Sequence, residues 1–154
     1  MQIRVTTDYS KVKAYFDRLR FAHTNYPALW KPALAIYYGF VMEAFREEGK
    51  PDKWEPLKPA TITRRRVGKR NIPRRVRILQ DTGQLRNSAT SPAGAGYVDI
   101  QPRHMTVGSR LRYAGFHHTG TKFMAQRRFF TFDNPILARM GQVMNQAALR
   151  HAAR

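Results

Sequence analysis

The chain has no cysteine. No disulfide can staple the fold, and thiolate catalysis and cysteine-ligated metal are both excluded. Long apolar runs are missing too. The longest lies around Ala33 to Phe45, is broken by Gly39 and Glu43, and is too short to span a bilayer. The opening "MQIRVTTDYS" lacks the charged-then-apolar pattern of a signal peptide, so no export is expected. Acids are scarce as well: 10 Asp plus Glu stand against 28 Lys plus Arg, a net charge of +18. After residue 55 only Asp81, Asp99 and Asp133 remain, facing nineteen cations. A nuclease built on a carboxylate cluster would have little to draw on there.

What is present is a folding composition. The 154 residues are 42% hydrophobic and 12% aromatic, which suits one domain over 1–154 with a real core. The charge balance, with a pI near 11.2, points to nucleic acid, an anionic surface or an acidic protein as partner. It says nothing about fold.

Periodicity supplies the elements. Val12, Tyr15, Phe16, Leu19 and Ala22 recur at helical spacing over residues 10–24, with Ser10 placed to cap. A second helix is expected over about 28–48, starting at Pro27 or Pro32 and stopped by Gly49. Its apolar set is broad (Ala33, Leu34, Tyr37, Tyr38, Phe40, Val41, Ala44, Phe45), so it lies deep or turns part of its face to another subunit. Residues 50–78 read as a long basic loop, with a helical turn allowed from Thr61. The sheet region is expected over 84–132. "LRNSATS" can pair, strands flank a turn near Gln101–Arg103, and "RRFFTF" is a further strand-like run. Within that region "LRYAGFHHTG" is expected to be a short helix ending at Gly120. A last helix over about 134–150 opens on Asn134 and Pro135. The order gives an α+β class: a small antiparallel β-sheet packed against two or three helices, with a long basic loop.

The charge concentrates in "TRRRVGKRNIPRRVR", residues 63–77, where eight of fifteen side chains are cationic and none is acidic. Eight like charges repel, so the segment is either a solvated loop or a surface kept for an anion. The candidate contacts are Arg64, Arg65, Arg66, Lys69, Arg70, Arg74, Arg75 and Arg77. DNA phosphate is the commonest such anion, and no helix-turn-helix, zinc-finger or RNA-recognition pattern is present to read bases. Any DNA contact is therefore sequence-independent.

Other constellations carry less. His117 and His118 are adjacent, and neighbouring side chains diverge on a helix, so no metal is expected from them. Glu43 and Glu47 share a helix face but have no third ligand or catalytic lysine beside them. Acids near a helix C-terminus oppose its dipole and welcome a cationic partner. Glu43, Glu47 and Glu48 thus form a candidate acidic patch for the basic loop of a neighbouring subunit, a heterologous contact of the kind that closes rings. In "ILQDTGQLRNS", Asp81 and Thr82 offer turn chemistry, Gly83 permits positive φ, and Leu79 and Leu85 anchor a structural corner.

Taken in order, "KWEPLKPATITRRR", "ILQDTGQLRNS", "VGSRLRYAGFHHTG" and "RRFFTF" before a final helix resemble the phage virion morphogenesis proteins, the tail completion proteins of Mu-like and related tailed phages. The resemblance covers roughly residues 34–150. Its positions include Trp54, Pro56, Leu57 and Thr61; Leu79, Asp81, Thr82, Gly83, Leu85 and Ser88; Gly108, Tyr113, Ala114, His117 and Gly120; and Arg128 with Phe129. Two departures stand out: "MAQRRFF" replaces a Pro-Ala-Arg-like stretch, and the loop after Thr61 is more basic than the family requires. The resemblance implies a virion part with no enzymatic activity and no cofactor, acting at the phage neck where head joins tail. It implies a homo-oligomeric ring of six or twelve copies around the DNA channel, docked to neck, portal-adaptor or tail proteins. Such a part is assembled in the host cytoplasm without a membrane step. Asp81, Thr82 and Gly83 are then expected to hold the corner, and Tyr113, His117 and Arg128 the strand–helix junction. The rival from another class is a nucleoid-type DNA-binding protein.

Overall fold

A computed structural model describes residues 9–24, 26–68 and 76–152. Among them lie six helices and one two-stranded antiparallel sheet. The helices are α1 (Tyr9–Thr24), α2 (Tyr26–Glu47), α3 (Pro59–Val67), α4 (Gln84–Thr90), α5 (Arg112–Thr119) and α6 (Asn134–Ala152); the strands are β1 (Gly96–Ile100) and β2 (Met105–Ser109). The class is the expected α+β.

α2 is the axis of the molecule. Ala33, Tyr37, Val41, Ala44 and Phe45 recur at three- and four-residue steps and are sealed from solvent. Around them close Trp54, Leu85, Ala89, Ala114, Phe129, Ile136 and Met140. The helix runs on through Pro32, which has no N–H to donate and so forgoes one ladder bond. A second stripe (Trp30, Ile36, Tyr38, Phe40) is only half-buried against this core. Gly49 stops the helix. Its φ is 123°, and a Cβ there would lie 2.3 Å from the Asp52 carbonyl oxygen, so glycine is required.

Tyr37 carries a liability. Its ring stacks on Phe132 at 4.5 Å and 8°, yet its hydroxyl has no hydrogen-bond partner among the described residues, and burial pushes the phenol well above its ordinary pKa. An unpaired buried hydroxyl costs about 1–3 kcal/mol. Tyr37→Phe is therefore expected to leave stability unchanged or raise it by about 1 kcal/mol, read from urea unfolding. A loss above that size would mean the hydroxyl is satisfied.

Several expectations are corrected. "LRNSATS" is not a strand: it is α4, whose Leu85, Ser88 and Ala89 are buried at helical spacing. Little in it is β-branched, so nothing opposes the helix once Gly83 has turned the chain. "RRFFTF" is irregular, with a bend at Phe130, and pairs with no strand among the described residues. Burial alternates along it, Arg127 and Phe129 in and Arg128 out, as in a strand. Its backbone is satisfied elsewhere: the Arg127 N–H donates to the His117 carbonyl at 2.8 Å, and the Arg128 carbonyl accepts from the Trp54 indole at 2.8 Å. The sheet is thus one hairpin, registered Gly96 opposite Ser109 and Ile100 opposite Met105. It packs on α4, where Ser88 and Ser109 hydroxyls meet at 2.8 Å. Part of the basic loop, residues 59–67, is helix α3. At the start of α6, Asp133 rather than Asn134 takes the capping position, its carbonyl accepting from Ile136 and Leu137. α1 begins at Tyr9, which puts Ser10 inside its first turn.

The stripe on α1 does not enter the core. Val12, Tyr15, Phe16 and Leu19 are 46%, 56%, 61% and 49% exposed, so they face out. The side chain of Ala22 lies outside the described residues.

Candidate functional site

The basic segment starts on α3. Pro59 suits the first turn, and Gly68, at φ 75°, closes the helix by donating to the Arg64 carbonyl. Arg64, Arg65 and Arg66 fill the last turn, where a cation meets the negative end of the helix dipole. The dipole thus offsets part of their mutual repulsion. Arg64 and Arg66 face solvent, as does Arg77. Arg65 turns inward, donating Nη1 to the Arg77 carbonyl at 2.6 Å with Nε 3.8 Å from Asp81 Oδ1. Lys69, Arg70, Arg74 and Arg75 lie outside the described residues.

The segment has a fixed stem. Besides the Arg65–Arg77 tie, the Ile78 N–H donates to Glu48 Oε1 at 2.8 Å. Buried Gln80 donates Nε2 to the Phe45 carbonyl at 2.6 Å, satisfying an acceptor in the last turn of α2. The acids of the candidate patch accordingly have partners in their own chain. Glu48 holds Ile78, Glu43 meets Lys50 at 2.7 Å and Arg46 at 3.3 Å, and Glu47 meets Arg46 at 3.5 Å. The Lys50 hydrogen bond, then its charge, holds the Glu43 carboxyl below its ordinary value.

Beneath α3 opens a cleft of about 350 Å³. The resemblance residues Asp81, Thr82, Gly83, Tyr113 and His117 meet there, joined by Arg65 and Arg127. Gly83 has φ 80° at the start of α4, and Leu79 has φ 58°, so the corner is a double left-handed turn with Leu79 and Leu85 buried on either side. Thr82 Oγ1 accepts from the Gln84 N–H at 3.4 Å.

Arg127 was not legible beforehand. It is 8% exposed, and its guanidinium donates to the Glu55 and Pro56 carbonyls at 3.0 and 3.2 Å. The side chain that ties the 127–132 segment to residues 55 and 56 is therefore Arg127's. Arg128 points outward and contributes its carbonyl. In a bare Arg-Arg pair the only available signal is alternation with Phe129, which puts Arg127 on the inner side.

His117 lines the cleft with Arg65 and Arg127, with Tyr113 edge-on at 6.0 Å and no partner for Nδ1 among the described residues. Burial, then Arg127, then Arg65 depress its pKa. His118 diverges onto Phe129 at 5.5 Å, and burial followed by Arg128 depresses it too. A lowered folded pKa means the unfolded chain binds protons first. Stability is then fully present above the ordinary histidine pKa of about 6.5 and falls as pH drops below it. Thermal midpoints should decline from pH 7.5 to pH 5, and the slope should flatten in His117→Gln. An unchanged slope would put His117 in solvent.

Fold and site define a small α+β protein with a cationic face set over a polar cleft. The model of the phage virion morphogenesis family matches residues 39–150, and the chain belongs to that family. It is thus a phage virion structural or assembly protein. No curated protein and no solved structure matches it. Among the described residues, no helix is long and apolar enough to cross a membrane.

Proposed function

We propose that this chain is a tail completion or head–tail connector protein, acting in the phage neck by self-assembly into a ring and by docking to adjacent neck, portal-adaptor or tail proteins. The observation that carries the reading is the pinned basic segment. A protein of a virion family spends three own-chain ties, from Glu48, Arg65 and Gln80, on the base of a cationic run, while Arg64, Arg66 and Arg77 face out. A rigid stem under exposed arginines suits a surface that meets DNA phosphate or an acidic neighbour around a DNA channel.

The test is a phage lacking this protein. Filled heads and finished tails that fail to join, rescued by the wild-type gene, are the expected phenotype, with imaging placing the protein at the joint. Normal joined particles would overturn the reading. If the purified chain instead binds duplex DNA as a monomer or dimer with steep salt dependence, by titration at two salt concentrations with light scattering, the nucleoid-type alternative takes over.

A further inference from the structure

α1 presents an apolar ridge that is exposed among the described residues. Val12, Tyr15, Phe16 and Leu19 fall at helical spacing, and all four are close to half exposed or more. Tyr15 and Phe16 stand edge to face at 5.9 Å, forming one aromatic projection. Lys11 lies one turn before Tyr15, and Arg20 one turn after Phe16. An apolar stripe flanked by cations is built to enter something apolar with acids at its edge.

The same chain carries such a receptacle. Between α2 and the start of α6 runs a groove of about 530 Å³, floored by Ile36, Gly39, Phe40 and Ile136. This is the second stripe of α2, more apolar than one packing surface needs. Glu43 and Asp133 stand on its rim against Lys50 and Arg139. The groove is therefore charge-balanced on a chain of net +18, which makes it a place where another copy is not repelled. Glu43 is already paired with Lys50, whereas the Asp133 carboxylate makes no hydrogen bond or ion pair among the described residues, leaving an acid open to a cation on the ridge.

We propose that the α1 ridge of one copy docks into the α2–α6 groove of a second copy of this chain. Tyr15 and Phe16 lie along the Gly39 floor, and a flanking cation faces Asp133. Ridge and groove are different surfaces, so the contact is heterologous: each copy offers one of each, and the chain of contacts closes into a ring or runs on as a filament. Gly39 fits the role. Nothing lies within 4 Å of where its Cβ would be, so glycine is not needed for the fold at this point, yet its absent side chain keeps the floor low. The inference rests on the self-assembly part of the function proposed above.

The absence of cysteine makes the contact directly testable. In a Phe16→Cys, Gly39→Cys double variant, a short bis-maleimide cross-linker should give a ladder at multiples of 17.9 kDa. The two single variants mixed should give mixed dimers and nothing larger. The control pairs Gly39→Cys with Phe123→Cys, since Phe123 is 84% exposed and lies off the ridge. At least tenfold more product from the ridge pair than from the control is the expected result. Equal yields overturn the proposal. So do dimers from Phe16→Cys alone, which would mean ridge on ridge, and so does a partner protein that fills the groove while pure chains never cross-link. Gly39→Phe supplies a second arm: it should fold with unchanged circular dichroism and lose all assembly, and retained assembly counts against the contact. A ladder from a protein missing from the neck would sink the connector reading alone. A neck protein that gives no ladder would sink this contact alone.

Discussion

Trp54→Ala should destabilise the protein by about 4 kcal/mol and lower its Tm by roughly 10 °C. Trp54 is 6% exposed, its ring stands edge-on to Phe45 at 5.3 Å, and its indole N–H donates to the Arg128 carbonyl at 2.8 Å. Truncation removes a large apolar area, leaves a cavity beside the fully buried Phe45, and strips the irregular 125–133 segment of a donor that no sheet partner among the described residues replaces. That last loss reaches further, because this segment delivers Phe129 to the core and Phe132 to Tyr37. Trp54→Phe separates the two effects. It keeps most of the burial and gives up the hydrogen bond, so about 1–2 kcal/mol is expected. Urea unfolding of both variants measures the split. A loss under 1 kcal/mol for Trp54→Ala would mean that residues 54–56 and the 127–132 segment are held together by Arg127 alone.

Arg127 is the harder lesson of this sequence. The helices α2 and α6 and the hairpin were legible because their burial follows a period, 3.6 or 2, that residue types report directly. Gly49 and Gly83 were legible because only a residue without Cβ sits comfortably at φ 123° and 80°. The segment at 127–132 was not. "RRFFTF" has the alternation of a strand, and nothing local says that its backbone will be satisfied by an indole and a carbonyl from distant elements rather than by a ladder. The choice was made at Trp54 and His117, more than seventy and about ten residues away respectively. The same holds for α4. Its buried Leu85, Ser88 and Ala89 carry a helical spacing, but seven residues are too few for period to outweigh context. On α1 the stripe was legible and the side it faces was not: amphipathicity says that a face seeks cover, and says nothing about whether the cover belongs to the same chain. The candidate cleft was half legible. Its corner could be read from turn chemistry, whereas the inward turn of Arg65 beside outward Arg64 and Arg66 depends on where Asp81 and the Arg77 carbonyl end up.

That inward turn splits the arginines into two groups with opposite expected behaviour. Arg65 is a stem residue, and Arg65→Gln should cost about 1–3 kcal/mol, because the Arg77 carbonyl loses a charged donor and Asp81 a cation 3.8 Å away. Arg64, Arg66 and Arg77 present their side chains to water. Replacing all three with Gln should move stability by no more than about 0.5 kcal/mol per site, and removing mutual repulsion makes a gain as plausible as a loss. Function should respond in reverse. If the connector reading holds, the triple variant folds, is made at normal levels, and yields particles that fail to join or to infect. Where the anion is DNA, the slope of log affinity against log salt should fall by about one for each phosphate-contacting arginine removed. Where it is an acidic protein surface, DNA affinity is unmoved and co-purification with the neck partner is lost instead. Infective particles of normal yield from a stably folded triple variant would show that these cations are ordinary solvated charge, and the proposal for the basic segment would have to be abandoned.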